Sequence, residues 1–145
     1  MKKLWIASDH AGFDMKATLK DHLTGLGHEV IDLGPDDDAS VDYPDFAKRL
    51  GCAVAEANDG LGILLCGTGI GVSIAANKIK GIRAALCRTE HDAQMARNHN
   101  NANVICMAAR GVQEDVLKRV LAQFLSAEFE GGRHQRRLDK ISALE

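Results

Sequence analysis

Residues 61–72 read LGILLCGTGIGV. The first six are apolar on both faces, the glycines at 67, 69 and 71 form a loop, and a helix is expected to begin near Val72. A short run with no polar face suits a strand buried inside a parallel sheet, and strand, glycine loop and helix in succession make one α/β step. The same step recurs on either side, with further strand candidates at 4–7, 29–33, 82–87 and 104–108. Between them the apolar spacing changes to three and four. Met15, Leu19, Leu23 and Leu26 share one stripe, as do Phe46, Leu50 and Val54, and Val116, Leu117, Val120, Leu121, Phe124 and Leu125 make a broad face. Glycines 27, 60 and 81 mark helix ends. The alternation predicts a three-layer αβα sandwich around a Rossmann-like five-stranded parallel sheet.

A chain of 145 residues with 46% hydrophobic content fills one core. One domain over 1–145 is therefore expected, with 130–145 as a C-terminal extension that packs on a partner subunit. The formal net charge of −2 recommends neither nucleic acid nor an acidic membrane surface as a partner. The start, MKKLWIASDHAGF, has too short an apolar run for a signal-peptide core, and no stretch approaches the ~18 apolar residues of a membrane helix. Cysteines 52, 66, 87 and 106 show no CxxC spacing, which points to free thiols in a reducing cytoplasm.

Open parallel sheets bind ligands beyond the carboxyl ends of their strands. One such end carries Ser8-Asp9-His10, and another carries Cys66 followed by the glycine loop. Alternate glycines turn backbone amides inward as a nest for an anion or oxyanion. The loop lacks the Lys-Ser or Lys-Thr of a Walker motif, and Val72 stands where the dinucleotide fingerprint needs its third glycine. A cysteine at a strand end is commonly a packing residue. Beside a helix amino terminus and a nest of amides, however, Cys66 is placed to act as a thiolate. The other three cysteines have no such loop after them and are assigned to packing. His10 follows a strand, and His99 lies in Arg97-Asn98-His99-Asn100-Asn101, a run too polar for a core. His22, His28 and His91 read as surface residues, and the acidic trio 36–38 as a solvated turn. No histidine pair has ligand spacing on one helix face, so no metal site is expected. After the break Gly131-Gly132, helical spacing sets Arg133 on one face with Arg136 and Arg137, beside His134, as a grip for a phosphate.

SDHAGF at 8–13, DYPDFA at 42–47, CGTGIGVSIAANK at 66–78, GIRAALC at 81–87, RNHNNANV at 97–104 and GGRHQRR at 131–137 together resemble the ribose-5-phosphate isomerase B family. That family also contains relatives acting on allose 6-phosphate and galactose 6-phosphate. The resemblance implies a cytoplasmic aldose–ketose isomerase of the pentose phosphate pathway that needs no cofactor. It implies that Cys66 removes the proton next to the carbonyl to give a cis-enediolate. The loop Gly67, Thr68, Gly69, Ile70 and Gly71 would bind the oxygens, with the Thr68 hydroxyl assisting proton movement. His99 resembles the residue that opens the furanose ring, and Asp9 the one that shuttles protons between substrate oxygens. His10, Arg133 and Arg137 match positions that grip the phosphate, and Tyr43, Asn100 and Arg110 match further ligand contacts. One branch of the family replaces the cysteine with a glutamate just after the last loop glycine. That position is Val72 here, so the chain resembles the cysteine branch.

Topology alone makes a further demand. The helix after the fourth strand runs back across the sheet and leaves His99 near the amino ends of the strands, opposite Cys66. Strands of five or six residues span roughly 17 to 20 Å, so one sugar cannot touch both in one chain. The site is expected between subunits of a homodimer or homotetramer. Two other readings share the loop: a nucleotide-binding regulatory module, in which Cys66 is dispensable, and a cysteine hydrolase using Cys66 and His99. An isomerase incorporates solvent deuterium at a substrate carbon during turnover, whereas a hydrolase consumes water and traps an acyl or phosphoryl enzyme. Mass spectrometry of the recovered sugar phosphate is expected to show the deuterium.

Overall fold

A strand buried on both faces requires a helix on each side, and the chain supplies them in alternation. The computed structural model describes residues 1–145. Its strands are β1 (Lys3–Ser8), β2 (Glu29–Asp32), β3 (Leu61–Cys66), β4 (Ala84–Leu86) and β5 (Val104–Ala108). Its helices are α1 (Phe13–Gly25), α2 (Tyr43–Glu56), α3 (Ile70–Ala76), α4 (Glu90–Asn98), α5 (Glu114–Ser126) and α6 (Arg133–Ser142), with a 3-10 turn over His10–Gly12.

The sheet order is β2-β1-β3-β5-β4 and every pairing is parallel. From β1 the chain moves outward to β2 and then back past β1 to β3, so the connections diverge between β1 and β3. Such a divergence leaves a crevice beyond the carboxyl ends of the two strands. Ser8 pairs with Leu65 there, which sets Asp9 and Cys66 side by side at the crevice.

Side chains alternate between two cores. Leu4, Ile6, Ile63 and Leu65 meet Leu19 and Leu23 of α1 and Leu117, Leu121 and Phe124 of α5. Trp5, Ala7, Leu64 and Cys66 meet Phe46, Leu50 and Val54 of α2 and Val72 of α3. Each large apolar side chain so buried stabilises the fold by about 1.5–3 kcal/mol.

Three local expectations change. Leu26 does not join the core stripe but sits 61% exposed as the cap residue of α1, because the helix ends before its turn comes round. The fourth strand shortens to three residues. Ile82 is buried but belongs to a turn in which its amide bonds Ile79, and the Arg83 amide bonds the Asn103 side chain. The helix after the glycine loop starts at Ile70, two residues early, since Gly69 already serves as its cap.

Lys16 lies buried on α1. Its Nζ donates to Asp32 Oδ1 at 2.6 Å and to the Pro35 carbonyl at 2.8 Å. An unpaired buried ammonium is strongly unfavourable, so these two acceptors fix where the chain runs after β2. Partial burial pushes the Asp32 carboxyl up. The Lys16 hydrogen bond, the Gly34 amide and the Lys16 and Lys20 charges outweigh that and hold it below the usual carboxylate range. The unfolded chain therefore binds this proton more readily than the folded one. The stabilisation is complete above the unfolded value and disappears as pH falls through the lower folded value. Urea unfolding between pH 6 and pH 3 is expected to show a smaller acid-dependent loss for Asp32→Asn than for the wild type, with the variant already weaker at pH 6.

Candidate active site

The carboxyl edge gathers one group of side chains. Cys66 closes β3, only 5% exposed, and the Gly69 amide donates to its Sγ at 3.2 Å. A sulfur that gives up its proton thus keeps a fixed donor in a site shielded from water. Gly69 reaches this position at φ +76°, and a Cβ there would lie 2.7 Å from Leu86 Cδ1 and 2.9 Å from the Met107 carbonyl carbon. Only glycine fits both the conformation and the space. At Gly71 the constraint is space alone, since a Cβ would meet the Tyr43 ring at 2.6 Å. The loop is less of an open nest than the glycine spacing predicts, because the Ile70 amide already bonds the exposed Thr68 Oγ1 at 3.2 Å.

Around this loop, Asp9 is 7% exposed and its Oδ1 accepts from the Gly12 amide at 3.1 Å, while its own amide bonds the Leu65 carbonyl. His10 accepts from the Val41 amide at Nδ1, 3.2 Å. That bond leaves the neutral ring with its proton on Nε2. Tyr43, at the start of α2, lays its ring on Gly71. The Arg110 guanidinium lies beside Gly67, whose carbonyl accepts from the Arg110 amide at 3.2 Å.

The amino edge gathers a second group. His99 caps α4, and the next residues carry the chain into β5. Arg83 holds that turn through Nε to the Asn100 and Asn101 carbonyls, both at 3.1 Å. Asn101 takes φ +43°, a conformation asparagine tolerates better than most residues. The His99 ring stacks on His134 with centroids 4.2 Å apart and planes at 14°. Glu130 Oε2 lies 3.4 Å from His134 Nε2 and 3.8 Å from His99 Nε2. Arg133 and Arg137 are exposed on either side of buried His134. The five steps from Leu61 to Cys66 in β3, at about 3.3 Å each, put the two edges roughly 17 Å apart. A single chain therefore unites Asp9, His10, Tyr43, Cys66, the loop and Arg110, and separately His99, Asn100, Arg133 and Arg137.

The His99, Glu130 and His134 ligand atoms fall within 4.8 Å of one another, a grouping that spacing along the chain did not disclose. An ion must lie in the plane of each imidazole that binds it, and two nearly parallel planes a ring's thickness apart share no such point. The arrangement suits a stacked pair rather than a chelate. Of these residues, Glu130 goes unselected in the sequence, and His134 is marked there only as a neighbour of the arginine face; their four-residue spacing is the signal that links them.

The chain is thus an α/β protein with a thiol at the switch point of its sheet. The model of the Ribose/Galactose Isomerase family matches residues 4–141. The chain is 50% identical over 140 residues, 95% of its length and 92% of the other's, to the probable ribose-5-phosphate isomerase B of Mycoplasma genitalium. It is 44% identical over 145 residues, covering 100% and 97% of the two chains, to ribose-5-phosphate isomerase B of Escherichia coli. Among solved structures, ribose-5-phosphate isomerase B of Mycoplasma genitalium with bound ribulose-5-phosphate superposes with a TM-score of 0.94 at 48% identity, covering 99% of this chain and 95% of that one. The Clostridium thermocellum enzyme gives 0.94 at 45% identity over 98% and 96%. The chain belongs to the ribose/galactose isomerase family.

Two of the other thiols, Cys87 and Cys106, are also buried. Burial, with the Asp92 charge, pushes Cys87 up to about 12. Burial pushes Cys106 up further, with Cys87 and Cys66 adding to it. Because the thiolate is the reactive form, iodoacetamide at pH 8 is expected to leave Cys87 and Cys106 unmodified in the folded protein, as peptide mass spectrometry will show.

Proposed function

We propose that this chain interconverts ribose 5-phosphate and ribulose 5-phosphate, with Cys66 as the base. The observation that carries the reading is the Cys66 sulfur facing the Gly69 amide at the β1/β3 crevice, with the Asp9 carboxylate one strand away. The 48% identical Mycoplasma genitalium enzyme with bound ribulose-5-phosphate supports the choice of substrate.

The chemistry follows from the groups. Ring opening needs a proton delivered to the ring oxygen and one removed from the hydroxyl on C1, and His99 is the residue for this. The Cys66 thiolate then takes the proton from C2, and the electron pair moves through C1–C2 onto the C1 oxygen to give the cis-enediolate. The Gly69 amide serves the sulfur and the Ile70 amide the Thr68 hydroxyl, so the other amides between Gly67 and Gly71 are the ones left to meet the charge that develops on oxygen. The thiol returns its proton to C1 while Asp9, with the Thr68 hydroxyl, moves a proton from the C2 oxygen to the C1 oxygen. Electrons shift only within the sugar, so the balance calls for no external acceptor. His10 offers Nε2–H to the phosphate, joined by Arg110, Arg133 and Arg137, while Tyr43 and Asn100 contact the sugar.

Because His99, Asn100, Arg133 and Arg137 stand at the far edge, they serve the crevice of a second copy, in a homodimer or homotetramer that completes each site. Ile70 and Ile74, 43% and 59% exposed on the outer face of α3, are apolar surface for that copy to cover, and Ile141 and Leu144 near the C-terminus add to it. Residues 130–145 are the extension that packs across the junction. No helix is long and apolar enough to cross a membrane, and a cytoplasmic enzyme is the reading adopted. The family description includes galactose, so turnover of ribose 5-phosphate beside allose 6-phosphate and galactose 6-phosphate decides the substrate, with the pentose expected to be preferred.

Cys66→Ala is expected to lower turnover by at least about a hundredfold while calorimetry still shows ribulose 5-phosphate binding. Unfolding and refolding Cys66→Ala together with His99→Asn is expected to restore about one quarter of wild-type activity, since half of the dimers are mixed and each holds one intact site of two. A mixture no more active than its parts would sink the shared site.

A further inference from the structure

His134 enters no step above, yet it is one of few buried polar side chains in the chain. We infer that His134 is a positioning residue for His99: its ring is a shelf that sets the plane of the His99 imidazole, and Glu130 is the carboxylate that both rings share. This rests on the ring-opening role given to His99.

Three observations carry it. First, His99 is a helix-capping residue, 37% exposed, with nothing on its own helix to fix its ring. The contact that does so is the stack on His134, whose side chain is 7% exposed and immobilised in the fold. Second, the two segments are tied at the backbone, where the Glu130 amide donates to the Asn98 carbonyl at 3.0 Å. The shelf is thus anchored one residue from the ring it supports. Third, α6 has two buried positions, His134 and Leu138, and Leu138 alone shows that an apolar residue seals this helix. A mere packing role does not call for an imidazole parallel to another with a carboxylate spanning both. Burial and the His99, Arg133 and Arg137 charges hold His134 below the usual imidazole range, against Glu130. A proton is therefore held less readily on His134 than on an ordinary imidazole, which disfavours two positive charges in the stack. Arg133 and Arg137 extend from the same helix, so ring oxygen and phosphate would be addressed by one rigid piece.

Ring opening and carbon deprotonation separate cleanly in this reaction. Ribulose 5-phosphate has its C5 oxygen blocked by phosphate and no hydroxyl placed to close a furanose. Loss of deuterium from its C1 to solvent therefore needs Cys66 but not His99. In His134→Ala, conversion of ribose 5-phosphate is expected to fall about tenfold or more while deuterium loss from the ketose stays within about twofold of wild type. His134→Phe, which keeps a flat ring, is expected to return aldose conversion to within about threefold of wild type. Unchanged aldose conversion in His134→Ala, an equal loss of both rates, or no recovery with phenylalanine overturns the proposal. Should the alanine variant not fold, Glu130→Gln at an exposed position decides: reduced aldose conversion with intact deuterium loss supports it, and two unchanged rates overturn it. A Cys66→Ala protein that still released deuterium would instead refute the base assignment, whatever His134 does.

Discussion

The amide of Gly69 meets the sulfur of Cys66 because the backbone at Gly69 takes a left-handed conformation at a place where a Cβ would collide with the Met107 carbonyl and Leu86. Three things depend on that turn. It aims a donor at the sulfur, it starts α3, and it seats the loop against β5, the neighbour of the central strand β3. The proposed base and the fold are therefore not separable here: the residue that gives the sulfur its partner is the one that lets strand become helix.

At the other end of the sheet the constraint is of a different kind. His99, Arg133 and Arg137 lie on segments that meet through a ring stack, a shared carboxylate and one backbone hydrogen bond. Buried Leu138 and His134 seat α6, and Ala93 and Ala96 seat α4, while Arg133 and Arg137 stay exposed. The thiol edge is thus set by one packed turn, and the histidine–arginine edge by polar contacts between two separately seated helices. A five-carbon sugar phosphate is shorter than the roughly 17 Å between the two edges, and that mismatch is the ground for the proposed second copy.

Strands, helices and the thiol loop were legible because each is a local pattern. Two-sided apolar runs marked β1, β3 and β5, and glycine spacing picked out the loop after Cys66. What escaped depended on partners distant in the chain. Leu26 continues a helical stripe on paper, yet the helix stops beneath it. Lys16 looks like a surface residue until Asp32 and the Pro35 carbonyl close around it. The polar run 97–101 is too polar for a core, and the structure uses it as the turn into β5: Asn101 takes the left-handed conformation, and Asn103, just beyond the run, bonds Arg83 and Gly81. The stack of His99 on His134 could not be read at all, because it exists only after α4 and the C-terminal segment have met.

The sheet order has a consequence for how the chain assembles. Residues 84–86 bond to no strand made before them, since β5 lies between β4 and β3. In chain order, β2, β1 and β3 have one another as partners once residue 66 is made, whereas β4 has none until 104–108 follow. An exposed strand without a neighbour is a route to wrong association. β4 is short, three residues of Ala84, Ala85 and Leu86, and a waiting edge of that length offers little for a stray chain to grasp.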